Sequence, residues 1–261
     1  MKKITFLFVL FQAAIALNVS AQNDSIVPLS TDRPTYSIAP DVIPLNSFQI
    51  ETGVLFQKES TDVDNINNMY LGLTLLRYGL FKNFEIRVAG TYRKMDIQPK
   101  EVGRDSTILG MGAVQVGLKF HIADEKGIIP NLGFEADITM RHIGKDGFHP
   151  TYSYPTARFV AVNTLSKNFS LGYNFGFAYN GESPDGFFIW SVVLNYTIFN
   201  KVSLFVEPYG TFDHNNMPHN DFDGGILWQV RHNLQVDVSA GTSFTNSAGF
   251  VSAGLSWRIP R

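Results

Sequence analysis

The 261-residue chain carries a formal net charge of −2 and no cysteine, which excludes disulfides, thiol nucleophiles, Cys-ligated zinc and a lipid-modified N-terminal cysteine. It has no basic excess of the kind nucleic acid requires. Only 17% of residues are charged, against about 25% in ordinary soluble domains. Aromatic residues reach 13%, with 22 Phe beside 22 Gly.

Lys2 and Lys3 precede an apolar run from Ile4 to Leu17, and Val19-Ser20-Ala21 supplies small residues before Gln22. This pattern predicts a secretory signal peptide over 1–21, with a membrane anchor as the alternative. The run is short of the ~20 apolar residues a spanning helix needs. No later segment is apolar enough for such a helix. An exported chain of this composition is therefore a secreted β-protein or a membrane β-barrel.

Residues 22–45 are polar and aperiodic and contain Pro28, Pro34, Pro40 and Pro44. Proline cannot donate to a β-ladder, so this is no central strand. The segment is expected to be a periplasmic leader, or a plug tucked against a barrel. A disordered tail is the alternative reading.

From residue 46 onward the hydrophobic period is two. Phe84, Ile86, Val88 and Tyr92 alternate with Glu85, Arg87, Thr91 and Arg93. Phe134, Ala136 and Ile138 alternate with Glu135, Asp137 and Thr139. Over 169–179, Phe169, Leu171, Tyr173, Phe175, Phe177 and Tyr179 share one parity, where a helix would scatter them. Twelve segments are predicted, near 46–57, 69–80, 83–94, 108–120, 130–141, 155–166, 168–180, 187–199, 201–212, 222–230, 233–244 and 249–259. Segments 69–80 and 155–166 alternate poorly. Most suit a tilted membrane strand of ~9–11 residues better than a sandwich strand of ~5–6.

Tight polar links at 81–83, 166–168, 200–201 and 231–233 alternate with longer ones at 58–68, 95–107, 142–154, 181–186, 213–221 and 245–248. That asymmetry matches periplasmic turns and extracellular loops. The predicted fold is all-β: a closed antiparallel transmembrane β-barrel of about twelve strands over 46–261. A soluble β-sandwich is the alternative. Tyr92, Tyr179, Trp190 and Trp257 are candidates for the aromatic belts at the membrane interfaces.

Thr31-Asp32-Arg33-Pro34, Pro40 and the run Val42-Ile43-Pro44-Leu45-Asn46-Ser47-Phe48-Gln49-Ile50-Glu51-Thr52-Gly53 resemble the opening of the MetA-pathway phenol-degradation family of outer-membrane barrels. Leu75-Leu76-Arg77-Tyr78-Gly79-Leu80 followed by Glu85-Ile86-Arg87 is similar to that family's second hairpin. Weaker echoes reach Glu207-Pro208-Tyr209-Gly210 and Leu234-Gln235-Val236-Asp237. The chain departs from the pattern at Asn46, where the family has Gly, and ends on Ile259-Pro260-Arg261 without a terminal aromatic. The resemblance implies uptake or efflux of small, apolar or aromatic compounds. It makes Asp32, Arg33 and Pro34 plug candidates.

Catalytic constellations are few. The loop Asp213-His214-Asn215-Asn216-Met217-Pro218-His219-Asn220-Asp221-Phe222-Asp223 could hold an omptin-like Asp–His pair or a Ca²⁺ ion, but lacks the regular ligand spacing of a calcium loop and the separated acidic pair of an omptin; a solvated loop is the simpler reading. His142 and His149 have no fixed carboxylate beside them in sequence. Neither a nucleophile elbow nor a phosphate loop is present. No catalytic residue, metal ligand or cofactor is expected, and the chain is read as a non-enzyme.

On the parity opposite the apolar residues lie the acids Glu51, Glu85, Glu135, Asp137, Glu207, Asp223 and Asp237 and the bases Arg77, Arg87, Arg93, Lys119, Arg141 and Arg158. This near-balance argues against a strongly ion-selective pore, which needs rings of one sign. Hairpin geometry predicts Lys119 opposite Glu135 and Arg77 opposite Glu85. With Arg87 and Asp137 these are the candidate constriction. The expected function is an outer-membrane channel for small solutes. A sealed structural or surface-interaction barrel is the first alternative and an outer-membrane hydrolase the second. The expected partners are outer-membrane lipid and a small-molecule solute, with no nucleic acid, and a monomer is the default.

Overall fold

In the computed structural model, residues 27–213 and 218–259 are described; the predicted signal peptide lies outside them. Among the described residues thirteen strands follow one another. They are β1 (Phe48–Ser60), β2 (Asp64–Phe81), β3 (Phe84–Pro99), β4 (Ser106–Met111), β5 (Gln115–Ala123), β6 (Asn131–Thr139) and β7 (Tyr154–Thr164). After these come β8 (Phe169–Tyr179), β9 (Gly186–Phe199), β10 (Val202–Phe212), β11 (His219–Arg231), β12 (Leu234–Ser243) and β13 (Ser247–Ile259). Every neighbouring pair is antiparallel, and β1 pairs with both β2 and β13, so the sheet closes on itself. Closure leaves no unpaired edge, the condition for β-structure in lipid, and it removes the sandwich alternative. Among the described residues no helix is long and apolar enough to cross a membrane.

The ring has twelve staves, because β4 and β5 are two pieces of one. β4 pairs with 92–97 of β3 and β5 with 84–89, running in the same direction. The break falls at Gly112-Ala113-Val114. There the β6–β7 loop folds in, and the Lys145 amide donates to the Met111 carbonyl in place of a strand partner.

Two other departures from the period have local causes. The register slips between Leu71 and Thr74, where Gly72 has φ 72°; this bulge explains the poor alternation of 69–80. A second slip between Gly79 and Phe81 sets the β2–β3 hairpin. The turn centres on Lys82-Asn83, with Phe81 facing Phe84, and this corrects one expected pairing: Arg77 lies opposite Arg87, and Glu85 lies opposite Gly79. The long 58–68 link is also corrected. β1 and β2 continue outward and leave only residues 61–63 between them.

The pleat sorts side chains as the period requires. Phe175, Phe188, Trp228 and Val251 stand exposed on the outer face, while Glu51, Glu85, Glu207 and Arg77 are fully buried inside. Asn46 adopts φ 56°, the left-handed conformation that glycine favours and that asparagine tolerates better than most residues. The chain turns there into β1, with the Asn46 amide donating to the Gly79 carbonyl.

Candidate functional site

An extended, proline-rich backbone has no strand partner for its own N–H groups, and buried ones must find acceptors. In residues 27–47 those acceptors are carboxylates and amides of the barrel wall. Glu51 accepts from the amides of Asp32 (2.9 Å) and Arg33 (3.0 Å). Glu207 accepts from Tyr36 (2.6 Å) and Ser37 (2.7 Å), Asn174 from Ile38 (2.7 Å), and Glu85 from Ile43 (2.8 Å). Arg77 and Arg258 donate back, to the carbonyls of Ser30, Asp41, Pro28 and Val27. The segment crosses the lumen at the end of the barrel that carries the short turns.

The centre of this contact is an ion-pair cluster. Asp32 lies 2.6 Å from Arg87, 3.0 Å from Lys119 and 3.9 Å from Arg77. Arg77 also holds Glu85 and Glu51, both at 2.8 Å. Arg87 reaches Glu85 at 3.1 Å and Glu135 at 3.0 Å, and Arg158 reaches Glu135 at 3.1 Å. Four bases thus face four acids in a nearly dry space. Such charges stay ionised only because each is paired and hydrogen-bonded. Burial opposes the Asp32 charge, yet Lys119, Arg77 and Arg87 together hold its carboxyl well below the usual carboxylate range.

Lys119 does stand opposite Glu135 in the β5–β6 register, but its ammonium turns to Asp32 and the Ala39 carbonyl. Arg77 contacts Glu85 diagonally across the slipped hairpin. Asp137 borders the lumen beside Glu135, its carboxylate over Gly117, and among the described residues no base lies within 4.0 Å of it. Arg33 extends to Asp237 (3.0 Å) and Ser252 (3.1 Å). It lies so close against Gly53 and Gly254 that a Cβ at either would collide with its guanidinium. Pro34 borders the cavity above.

That cavity, of about 760 Å³, lies between the 27–47 segment and the long-loop end. Asp32, Arg33 and Tyr36 form its floor, and Leu55, Tyr70, Arg87, Asp137 and Tyr209 belong to its wall. Tyr36 stacks on Tyr209 with ring centroids 4.5 Å apart, and the Arg158 guanidinium sits over the Tyr36 ring, 5.7 Å from its centroid. Near the loop end Arg93 is sandwiched between Tyr70 and Phe148, at 5.0 and 4.9 Å, which ties the β6–β7 loop to the wall.

The family model described as "Putative MetA-pathway of phenol degradation" matches residues 31–259. The chain belongs to this family. None of the curated proteins matches it. Among the solved structures that share its fold, three illustrate the likeness. The COG4313 outer membrane channel from Pseudomonas putida F1 has a TM-score of 0.63 at 11% identity, over 84% of this chain and 97% of that one. The NanC porin has 0.51 at 10%, over 79% and 98%. The translocator domain of the autotransporter NalP from Neisseria meningitidis has 0.51 at 10%, over 85% and 91%. With its closed ring and apolar outer face, the chain is an outer-membrane β-barrel.

The possible catalytic groups do not converge. His142 and His149 rings lie 5.6 Å apart in the β6–β7 loop, with Asp146 at 3.3 Å from His149. His219 meets Asp221 at 3.1 Å, and residues 214–217 of that loop lie outside the described residues. Among the described residues no three His, Cys, Asp or Glu side chains are grouped as a metal would require.

Sequence reasoning missed Asn174, Ser191 and Arg258 as partners of the leader. Their inward parity was readable, but which backbone groups they serve depends on how the leader folds.

Proposed function

We propose that this barrel is a channel for small solutes and that residues 27–47 are a plug at its periplasmic end. The observation that carries the reading is the cavity stacked directly on the plug. A pathway 760 Å³ in volume enters from the loop end and stops at Asp32, Arg33 and Tyr36. The short turns define the periplasmic rim, as in bacterial barrels generally. The candidate constriction is this contact layer: Arg77, Glu85 and Lys119 are sealed under the plug, while Arg87, Glu135 and Asp137 face the cavity.

The fold shared with the COG4313 channel and the NanC porin supports passage of solutes over chemistry, and the scattered histidines give hydrolysis no constellation. The apolar wall contributed by Leu55, Leu73, Leu75 and Tyr70 suits solutes with an apolar or aromatic body. Liposome swelling with the refolded full-length protein and sugars of increasing size tests the reading. The expected result is uptake that falls off sharply with size; swelling no faster than in empty liposomes for every solute contradicts it.

A further inference from the structure

The ion-pair cluster occupies one side of the lumen. The other side, formed by β10 to β13, is poorer in bases: Arg33 serves Asp237, and Arg258 serves carbonyls of the plug. In the ladder Glu207 lies opposite Asp223, Asp223 opposite Gly241, and Gly241 opposite Phe250, all on the inward face. Glu207 has the amides of Tyr36 and Ser37, and Asp221 has His219. Asp223 has neither. Among the described residues no Lys, Arg or His pairs with it within 4.0 Å.

Asp223 is only 2% exposed, borders the cavity, and its Oδ1 has no hydrogen-bond partner. Diagonally across the β11–β12 ladder stands Ser239, 6% exposed and also facing the cavity, with an equally unpartnered Oγ. An unpaired buried acceptor is costly unless something donates to it. Two such acceptors beside open space describe a site for a group with several N–H donors and a positive charge. A metal ion fits poorly, because no third ligand converges. An ammonium fits: it brings three donors and no acceptor. The ring of Tyr209, stacked on Tyr36, and that of Phe250 supply an apolar surface beside it.

We infer that the lumen holds a subsite for the primary ammonium group of a small organic amine, bound by Asp223 and Ser239, with its apolar body against Tyr209 and Phe250. This rests on the reading of the lumen as a solute path and names the charge of the solutes favoured there. An amine would enter from the loop end, dock above the plug, and bring Asp223 the positive charge it lacks.

Benzylammonium, benzyl alcohol and benzoate have nearly the same size and differ in charge, so they probe the site directly. Equilibrium binding to the full-length protein in nanodiscs, corrected for empty nanodiscs, is the measurement. Benzylammonium is expected to bind at least tenfold more tightly than benzyl alcohol, and benzoate more weakly than both. In Asp223→Asn, shown folded by its heat-dependent gel shift, that preference should fall to about twofold or less. Equal binding of the three by the native chain overturns the inference without reference to any variant, as does a preference untouched in Asp223→Asn. Because binding is read without flux, the preference can stand even if the barrel passes no solute, and that pattern would remove the channel reading while keeping the site.

Discussion

Asp32 is the single plug residue whose removal should be felt most. In Asp32→Ala the lumen cluster is left with Arg77, Arg87, Lys119 and Arg158 against Glu51, Glu85 and Glu135. Removing one partner of a buried pair costs ~3–5 kcal/mol. The barrel can escape that cost by releasing the plug, which lets water reach Arg87 and Lys119 while every stave stays paired. At 1.4 kcal/mol per factor of ten, the plug-out population should rise roughly 100- to 4000-fold. The native chain has no cysteine, so Ser37→Cys gives a single reporter. Ser37 is 4% exposed beneath the cavity floor and bonded to Ser191, hence reachable by an aqueous maleimide only when the plug leaves. The labelling rate should rise by that factor in Asp32→Ala. Adding Lys119→Ala, which restores three bases against three acids, should bring it back to within about tenfold of the parent, since removing both partners is nearly neutral. An unchanged rate in Asp32→Ala, with the barrel folded, would refute the electrostatic account of docking.

Further outcomes follow from the same geometry. Because the Asp32 carboxyl is held below its usual range when docked, its contribution is complete above about pH 4 and is lost only as pH falls through the depressed value; the plug should stay docked at pH 5, and protease protection of residues 28–45 should fail only well below pH 4. Gly254→Val should push Arg33 off Asp237 and speed Ser37→Cys labelling at least tenfold, whereas no change would show that the guanidinium has room elsewhere. Arg93→Ala removes two cation–π contacts worth about 0.5–2 kcal/mol each, so hydrogen exchange around Phe148 should quicken by at least tenfold while the strands stay protected. Trp190, Trp228 and Trp257 stand on the outer parity of β9, β11 and β13 near the rims, and lipids brominated close to the headgroup should quench their fluorescence more than lipids brominated at the chain ends.

The strands were legible because lipid and lumen impose opposite chemistries on alternate residues, as in Phe169–Tyr179, where the two parities share no residue type. What local pattern could not show depends on distant partners. The break of 108–120 into β4 and β5 follows from a loop thirty residues onward that supplies Lys145 to Met111. The Arg77 register depended on where the β2–β3 turn centres: Phe81 faces Phe84, so the turn is Lys82-Asn83 and, with Leu80 bulged, Arg77 faces Arg87, two residues past Glu85. Lys119 and Glu135 were correctly placed opposite one another, yet pair elsewhere, because Asp32 enters the lumen from the leader with a charge of its own. The excess of acids on the inward parity was visible in the sequence. Its use differs along the wall: Glu51, Glu85 and Glu207 receive the plug's amides, while the Asp223 Oδ1 receives no donor.

The central claim is that a solute path runs through this barrel and is closed from the periplasmic side by residues 27–47. Planar-bilayer recording compares the full-length protein with one lacking residues 28–40, both verified as folded by heat-dependent gel mobility. The account predicts small, intermittent conductance for the first and a steady conductance several times larger for the second. Two folded barrels that conduct equally, or that both fail to conduct, would contradict it.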